Sequence, residues 1–272
     1  MKLVYSPECA IADDVWISLN KPSKVVEAIR AFDPDVEVIP ALPLPTADFY
    51  RAHNKTYVDE LLACQIDNGF GDRRPAVITQ IRYANGSFVQ AAEEAIESGV
   101  CLSPTSGYHH AGYTFGGGFC SLNALIVAAQ RLKAHGRIDR CLIIDGDGHY
   151  GDGTADIIKR LNLTWIKHLT RGAPLGKDTI DLIRDEIAAN KADIVLYQAG
   201  ADAHIDDNFG AGYLTTEVWK RRDYAVFQGC RDVGVPVAWN LAGGYSGQRT
   251  IHLHVSTYAT AKRVWAPEPV LY

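Results

Sequence analysis

Three carboxylates and one imidazole fall within eight consecutive positions of this chain: Asp145, Asp147, His149 and Asp152. Gly146, Gly148, Gly151 and Gly153 separate them. Acids set side by side repel one another, and burying them unpaired is very costly. A bound cation relieves both problems. Glycine at almost every other place removes side-chain bulk and permits positive φ, so the segment is expected to coil tightly round a small object. Further along, Asp202 stands in Ala199-Gly-Ala-Asp-Ala-His204. Asp147, His149 and Asp202 make an Asp-His-Asp set. Two carboxylates and one imidazole suit Zn²⁺ or Fe²⁺ and leave positions open for water and substrate. No thiolate stands at a suitable place, so a closed structural zinc is not expected.

Two further motifs extend this chemistry. His109 and His110 are adjacent, and Tyr245 follows Gly243 and Gly244. Taken singly, a histidine pair is more often a surface or hydrogen-bonding feature, and a tyrosine more often a core residue. Beside a metal-activated water the histidines become a base and an acid. Each imidazole then needs an orienting carboxylate on its other nitrogen. Asp145 and Asp152 are the acids the metal does not use, and they are free for that role. The Tyr245 hydroxyl would donate to an oxyanion. The sum is hydrolysis of a carbonyl derivative.

The elements that must hold these residues follow from periodicity. Cys141 to Ile144 is an apolar run with two adjacent isoleucines, as in a strand buried on both faces of a parallel sheet. It stops at Asp145. Val100 to Leu102 precedes the histidine loop, Asp193 to Tyr197 precedes Asp202, and Pro236 to Trp239 precedes Gly243. Lys2 to Tyr5, Val36 to Ile39 and Leu163 to Leu169 read as further strands. Helical periodicity covers Pro22–Phe32, Thr46–Ala52, Tyr57–Cys64, Ser87–Ser98, Leu122–Ala134, Thr154–Leu161, Asp178–Lys191, Thr216–Val233 and Thr250–Trp265, with a Pro-rich tail after it. Gln65 to Asn85, punctuated by Gly69, Gly71 and Pro75, reads as an irregular surface loop. Alternating strands and helices predict an α/β fold with a parallel sheet and helices on both faces. Ligand chemistry in such sheets gathers at the carboxyl ends of the strands, where all four polar clusters lie. With 272 residues, 47% of them hydrophobic, one domain over 1–272 is expected.

Composition narrows the partners. Net charge is −5 and no Lys/Arg run stands out, so neither nucleic acid nor an anionic membrane is expected. No signal-peptide pattern or membrane-spanning apolar run is present. Six scattered cysteines without a Cys-x-x-Cys pair read as buried thiols of a reducing cytoplasm.

Ser106-Gly-Tyr-His-His-Ala111, Gly117-Gly-Phe-Cys-Ser-Leu-Asn123, Asp145-Gly-Asp-Gly-His-Tyr-Gly-Asp-Gly-Thr154, Ala199-Gly-Ala-Asp-Ala-His204 and Gly243-Gly-Tyr245 resemble the zinc-dependent histone deacetylase family, which includes acetylpolyamine amidohydrolases. The order and spacing match from about Pro22 to Tyr258. The resemblance implies a single-domain arginase/deacetylase fold with a central parallel sheet of about eight strands. It implies metal ligands Asp147, His149 and Asp202, and a zinc-dependent deacylase acting on an N-acyl-lysine or acylated amine. His109 backed by Asp145, His110 backed by Asp152, and Tyr245 match the family's catalytic residues. Gly118 and Phe119 match the wall of its acyl-lysine channel, and Phe209 falls where the family places an apolar wall residue.

The chain departs from the pattern in places. Tyr150 replaces a second histidine, and Asp207-Asn-Phe-Gly210 replaces Asp-Pro-x-Gly. The family's arginine near the inner acetate cavity is read as Lys24, which lacks the bidentate clamp of arginine. Ile166-Lys-His168 replaces Ser-x-His, which argues against the structural K⁺ ion that the serine helps hold; Lys167 is expected to supply the missing charge. Asp67 and Asp72 are the candidates for a rim aspartate. The chain is short for the family, so substrate loops are trimmed or a second subunit of a homo-oligomer completes the mouth. Two other readings stay open: an arginase-like ureohydrolase with a second metal, and a non-catalytic acyl-amine binder.

Overall fold

A computed structural model of the chain describes residues 1–12, 16–171, 174–175, 180, 182–209 and 212–265. The short apolar runs form strands and the amphipathic stretches form helices. In chain order these are β1 (Lys2–Val4), α1 (Ile17–Phe32), β2 (Glu37–Ile39), α2 (Thr46–Phe49), α3 (Lys55–Leu62), α4 (Pro75–Ser98), β3 (Val100–Ser103), α5 (Ala124–Ala134), β4 (Cys141–Asp145), α6 (Asp152–Arg160), β5 (Ile166–Arg171), β6 (Pro174–Leu175), α7 (Ile183–Asn190), β7 (Ile194–Gln198), α8 (Thr216–Val233), β8 (Val237–Asn240) and α9 (Gln248–Trp265). A single 3₁₀ turn at Pro7–Cys9 follows β1. The strands form one sheet in the order β2-β1-β3-β8-β7-β4-β5-β6. Every pairing is parallel. This is the single α/β domain, helices on both faces, that the strand–helix alternation predicts.

Two apolar layers sandwich the sheet, because successive residues of a strand point to opposite faces. Cys141 and Ile143 of β4 join a layer with α3, α4 and α5. Leu142 and Ile144 join the other, with α1, α7, α8 and α9. A strand covered on both sides has no polar face, which is why β4 reads as a continuous apolar run. Among the described residues no helix is long and apolar enough to cross a membrane, and all six cysteines are unpaired.

Three differences from the sequence reading have physical causes. The stretch expected as a loop over Gln65–Asn85 is helical from Pro75 onward. Proline at the first helical position costs no hydrogen bond, and Val77, Ile78, Ile81 and Ala84 give the first turns a buried face. Gly86, inside the helix, is a packing device. A Cβ on Gly86 would lie 1.9 Å from the Leu42 carbonyl oxygen, so only glycine lets the two backbones touch. Helix α1 starts at Ile17 rather than Pro22, and Pro22 sits inside it. That proline cannot donate to the carbonyl of Ser18, four residues back. The Ser106 hydroxyl donates to it instead at 2.6 Å, tying α1 to the loop that carries the tandem histidines. The helix expected over Asp178–Lys191 is seen as Ile183–Asn190; its start, like the Pro-rich tail, lies partly or wholly outside the described residues.

Candidate active site

The four central strands end in a row of polar residues. Ser103 of β3 is level with Asn240 of β8, Asn240 with Gln198 of β7, and Gln198 with Asp145 of β4. The loops leaving this row carry every chemically interesting side chain. The histidine pair follows β3, Asp147 and His149 follow β4, Asp202 follows β7, and Tyr245 follows β8. Gln198 binds the row together: its Nε2 donates to Asp145 Oδ1 at 3.1 Å, and its Oε1 accepts from the Tyr108 amide at 3.2 Å.

Asp147, His149 and Asp202 each offer a ligand atom, and these atoms lie within 4.8 Å of one another. His149 Nδ1 is 3.2 Å from Asp147 Oδ1 and 3.0 Å from Asp202 Oδ2. Each carboxylate has its other oxygen anchored by backbone. The Gly243 amide donates to Asp147 Oδ2, and the Gly148 amide donates to Asp202 Oδ1, both at 2.9 Å. So one oxygen of each acid is pinned while the other faces the imidazole. The electrostatics are those of a cation seat. Burial, then the Asp147 charge, push the Asp202 carboxyl up to about 7. Burial also opposes ionisation of Asp147, but His109 and His149 hold it well below the usual carboxylate range. Hydrogen bonds to Asp147 and Asp202 raise His149 to about 10. Two buried acids this close share positive charge from their neighbours, and a divalent cation answers that demand directly. The donor set, oxygen, nitrogen, oxygen, fits Zn²⁺ or Fe²⁺.

Both histidines of the pair are backed as the sequence suggests. His109 Nδ1 donates to Asp145 Oδ2 at 2.7 Å, and its Nε2 lies 3.6 Å from Asp147 Oδ1. Burial pulls the His109 imidazole down, but Asp145 and Asp147 outweigh it and raise the ring to about 9. His110 Nδ1 donates to Asp152 Oδ1 at 2.5 Å. Burial and the neighbouring His109 charge lower His110. The two rings lie 4.1 Å apart between centroids, tilted by 53°. Their environments differ: His109 is buried, while the Asp152 that backs His110 is exposed.

One small cavity is lined by His109, Asp147, Gly118, Phe119, Gly243 and Tyr245, among others. Phe119 lies 5.7 Å from the Tyr245 ring, and Phe209 covers its other side at 5.5 Å. Phe209 is 68% exposed, so it stands at the mouth rather than inside a closed channel. Burial, then Asp147 and Asp202, push the Tyr245 phenol well above its ordinary value, so it stays protonated as a donor must.

The glycines of the 145–154 segment act differently from expectation. None of Gly146, Gly148, Gly151 and Gly153 has positive φ. They serve close approach. A Cβ on Gly153 would fall 2.5 Å from the carbonyl carbon of His110, pressing α6 against the histidine loop. A Cβ on Gly200 would fall 2.6 Å from the Asp147 Cα. The left-handed backbone is instead at Phe119 (φ 66°) and Ala242 (φ 53°), two non-glycine residues beside the cavity. Such strain gathers at functional sites.

Two expected placements are overturned, those of Lys24 and Lys167. Lys24 is exposed on α1; the buried cation is Lys21, 1% exposed, whose ammonium donates to the Ala242 carbonyl and lies 5.9 Å from the Tyr245 ring. Starting the helix at Pro22 hid this residue. In the longer helix Lys21 shares a face with buried Ser18 and Val25, a charge in an apolar stripe. Lys167 does not turn toward Asp145; strand alternation sends it outward to Glu186. Asp67 and Asp72 are held by Arg73 and Arg74 in the turn before α4. Sequence reasoning also missed Asp207, whose Oδ2 accepts from the Tyr245 amide at 2.7 Å, and Arg222, buried on α8 beneath the ligand loops.

With this geometry in place, sequence comparison is decisive. The histone deacetylase domain matches residues 17–166, more than half of the chain. The chain belongs to the histone deacetylase domain family. Among relatives, an uncharacterised protein of Picosynechococcus is 32% identical over 198 residues, 65% of each chain. Histone deacetylase 2 of Arabidopsis thaliana is 25% identical over 194 residues, 62% of this chain and 50% of that one. A probable deacetylase of Methanothermobacter thermautotrophicus is 31% identical over 120 residues, 42% of this chain and 36% of that one. The matches thus span a third to about two thirds of these relatives' lengths. In three dimensions the chain is similar to a crystal structure of acetylpolyamine aminohydrolase from Burkholderia pseudomallei. The TM-score is 0.77 at 15% identity, covering 97% of this chain and 99% of that one. The fold of this histone deacetylase relative is therefore the arginase/deacetylase fold inferred from its motifs.

Proposed function

We propose that this chain is a metal-dependent amidohydrolase that removes the acyl group from an N-acyl-lysine or another acylated aliphatic amine. The observation that carries the reading is the convergence of four strand-end loops. Three ligand atoms lie within 4.8 Å of one another, a carboxylate-backed imidazole reaches toward them, and a tyrosine lines the same cavity. Asp147, His149 and Asp202 would hold Zn²⁺ or Fe²⁺, which would supply Lewis acidity for adding water to an amide carbonyl. His109 takes the proton from the attacking water at Nε2, while Asp145 holds its Nδ1–H and keeps the ring in that tautomer. The Tyr245 hydroxyl donates to the oxygen that becomes negative. His110, oriented by Asp152, delivers a proton to the departing amine. Gly118 and Phe119 flank the alkyl chain of the amine, and Phe209 meets it at the mouth. The net charge of −5 suits a cationic amine product but is spread over 272 residues and carries little weight.

An arginase-like reaction needs a second ion, and among the described residues a single three-ligand group lies within range. A non-catalytic binder has no use for an imidazole backed by a buried aspartate. The test is turnover of an acetyl-lysine amide and of an acetylated polyamine, each in a zinc-replete sample with and without chelator. Chelator-sensitive release of free amine supports the reading. A folded, zinc-loaded protein inert to both substrates overturns it.

A further inference from the structure

The side of the ligand loops that faces away from the cavity holds a guanidinium that the reaction does not use. Arg222, on α8, is 2% exposed. Its Nη1 donates to two carbonyls at once: Gly146 at 2.6 Å and Gly200 at 3.0 Å. Gly146 immediately precedes Asp147, and Gly200 stands two residues before Asp202. One nitrogen therefore bridges the β4 loop, which carries two of the three ligands, and the β7 loop, which carries the third. The remaining nitrogens are spoken for. Nε and Nη2 donate to Asp223 Oδ1 at 3.0 and 2.8 Å. Asp223 is itself fixed by the Tyr197 hydroxyl at 2.5 Å and the Thr257 hydroxyl at 2.7 Å. The Trp219 ring packs 5.0 Å from the guanidinium carbon. A group this confined has almost no freedom of its own, so the carbonyls it grips have little either. A second guanidinium, from Arg171 on β5, donates to the Gly148 carbonyl on the other side of Asp147.

We propose that Arg222 is a positioning residue of the metal centre, setting the separation of the Asp147–His149 loop from the Asp202 loop. This rests on the metal reading above and assigns it a support on α8. Side-chain size and hydrophobicity do not explain the choice. Replacing a buried ion pair by a well-packed apolar pair of similar volume is often neutral or stabilising, so stability alone does not account for Arg222 and Asp223, whereas the carbonyls that the guanidinium holds do. The planar fork reaches carbonyls and carboxylate together, which a lysine ammonium cannot do.

The test uses Arg222→Met/Asp223→Asn, which removes both charges and leaves no uncompensated ion, and Arg222→Lys. Zinc affinity is measured by competition with a coloured chelator, ligand geometry by the visible spectrum of the cobalt-loaded protein, and stability by urea unfolding without metal. The double variant should unfold at a lower urea concentration than the parent, because the Gly146 and Gly200 carbonyls lose a buried donor, yet still fold without metal and bind zinc roughly 10–100-fold more weakly, the usual scale for groups that orient ligands. Its cobalt spectrum should shift. Arg222→Lys should weaken zinc binding by a smaller factor and shift the spectrum in the same direction. A folded double variant with parental affinity and spectrum overturns the proposal. Should it fail to fold, parental values in Arg222→Lys overturn it equally. A parent that binds no zinc at all defeats the metal reading itself, a result distinguishable from loss of the tie alone.

Discussion

The floor of the candidate site and its mouth are built on opposite principles. On the floor Asp145, Asp147 and Asp202 are at most 2% exposed. Each carboxylate there meets backbone amides, imidazoles or the Gln198 amide, and the buried Arg222 guanidinium grips two carbonyls alongside. At the mouth Phe209 is 68% exposed and Tyr150 47%. The Phe209 ring is held chiefly by its contact with Tyr245. Polar groups buried in a low dielectric are costly unless every partner is present, so the floor admits one arrangement. Exposed aromatic rings are replaceable at little cost. On the proposed reading, the chemistry would be fixed by the interior and the choice of substrate left to exposed side chains.

Substitutions on either side should break or sharpen this contrast. The largest effect is expected from Asp202→Ala. Removing one of three ligands should drop zinc in a dialysed sample from about one ion per chain to a small fraction of that, with turnover lost; full occupancy by elemental analysis would remove Asp202 from the ligand set. Tyr245→Phe should keep the zinc and lower kcat by about a hundred- to a thousandfold. Equal turnover with equal zinc would deny the hydroxyl its role.

A smaller effect concerns the packing behind the histidine loop. His53 is buried, its Nδ1 donating to the Gly112 carbonyl and its Nε2 accepting from the Asn123 amide. Burial lowers this imidazole from 6.5 to about 4. The unfolded chain therefore takes up a proton below pH 6.5 that the folded protein refuses until near pH 4. The stability contributed by a neutral His53 is complete above that window and is lost as pH falls through it. The parent should lose about 2 kcal/mol more than His53→Gln between pH 7 and pH 4.5. Urea unfolding of both proteins at the two pH values measures this; a gap that does not narrow in acid contradicts it. The smallest effect should come from the mouth. Phe209→Ala should raise KM by less than about tenfold, leave kcat and zinc content unchanged, and leave the free energy of urea unfolding within about 0.5 kcal/mol of the parent. A large fall in kcat would show that the mouth helps seat Tyr245 and that the two regions are not separate.

The same contrast marks where the sequence was legible. The ligand loops announced themselves, because acids and histidines crowded at the end of an apolar run have few other uses. The sheet was legible through the regular return of such runs. The two-residue strand β6 was too short to leave a period. What escaped were charged residues embedded in helical apolar faces. Lys21 and Arg222 interrupt buried stripes on α1 and α8, and a single sequence offers no way to tell such a charge from a helix boundary or a solvent edge. The loop reading of 65–85 failed for a related reason: Pro75 opens a helix there, and Gly86 within it serves a backbone contact with Leu42 that only tertiary structure shows. The glycines between the acids were correctly taken as space-makers but wrongly as left-handed turns. Phe119 and Ala242 adopt that conformation without any signal in their side chains.

The sheet order carries a last consequence. Strand β8 lies between β3 and β7, at the centre, although it is the last of the eight to leave the ribosome. In the folded sheet it is the one strand that joins β2-β1-β3 on one side to β7-β4-β5-β6 on the other. Only when Val237 to Asn240 wedges between them does the tandem-histidine loop come to face the acids, with the phenol delivered a few residues later. The candidate site is therefore complete only once the last described strand is in place, so its assembly coincides with closure of the sheet.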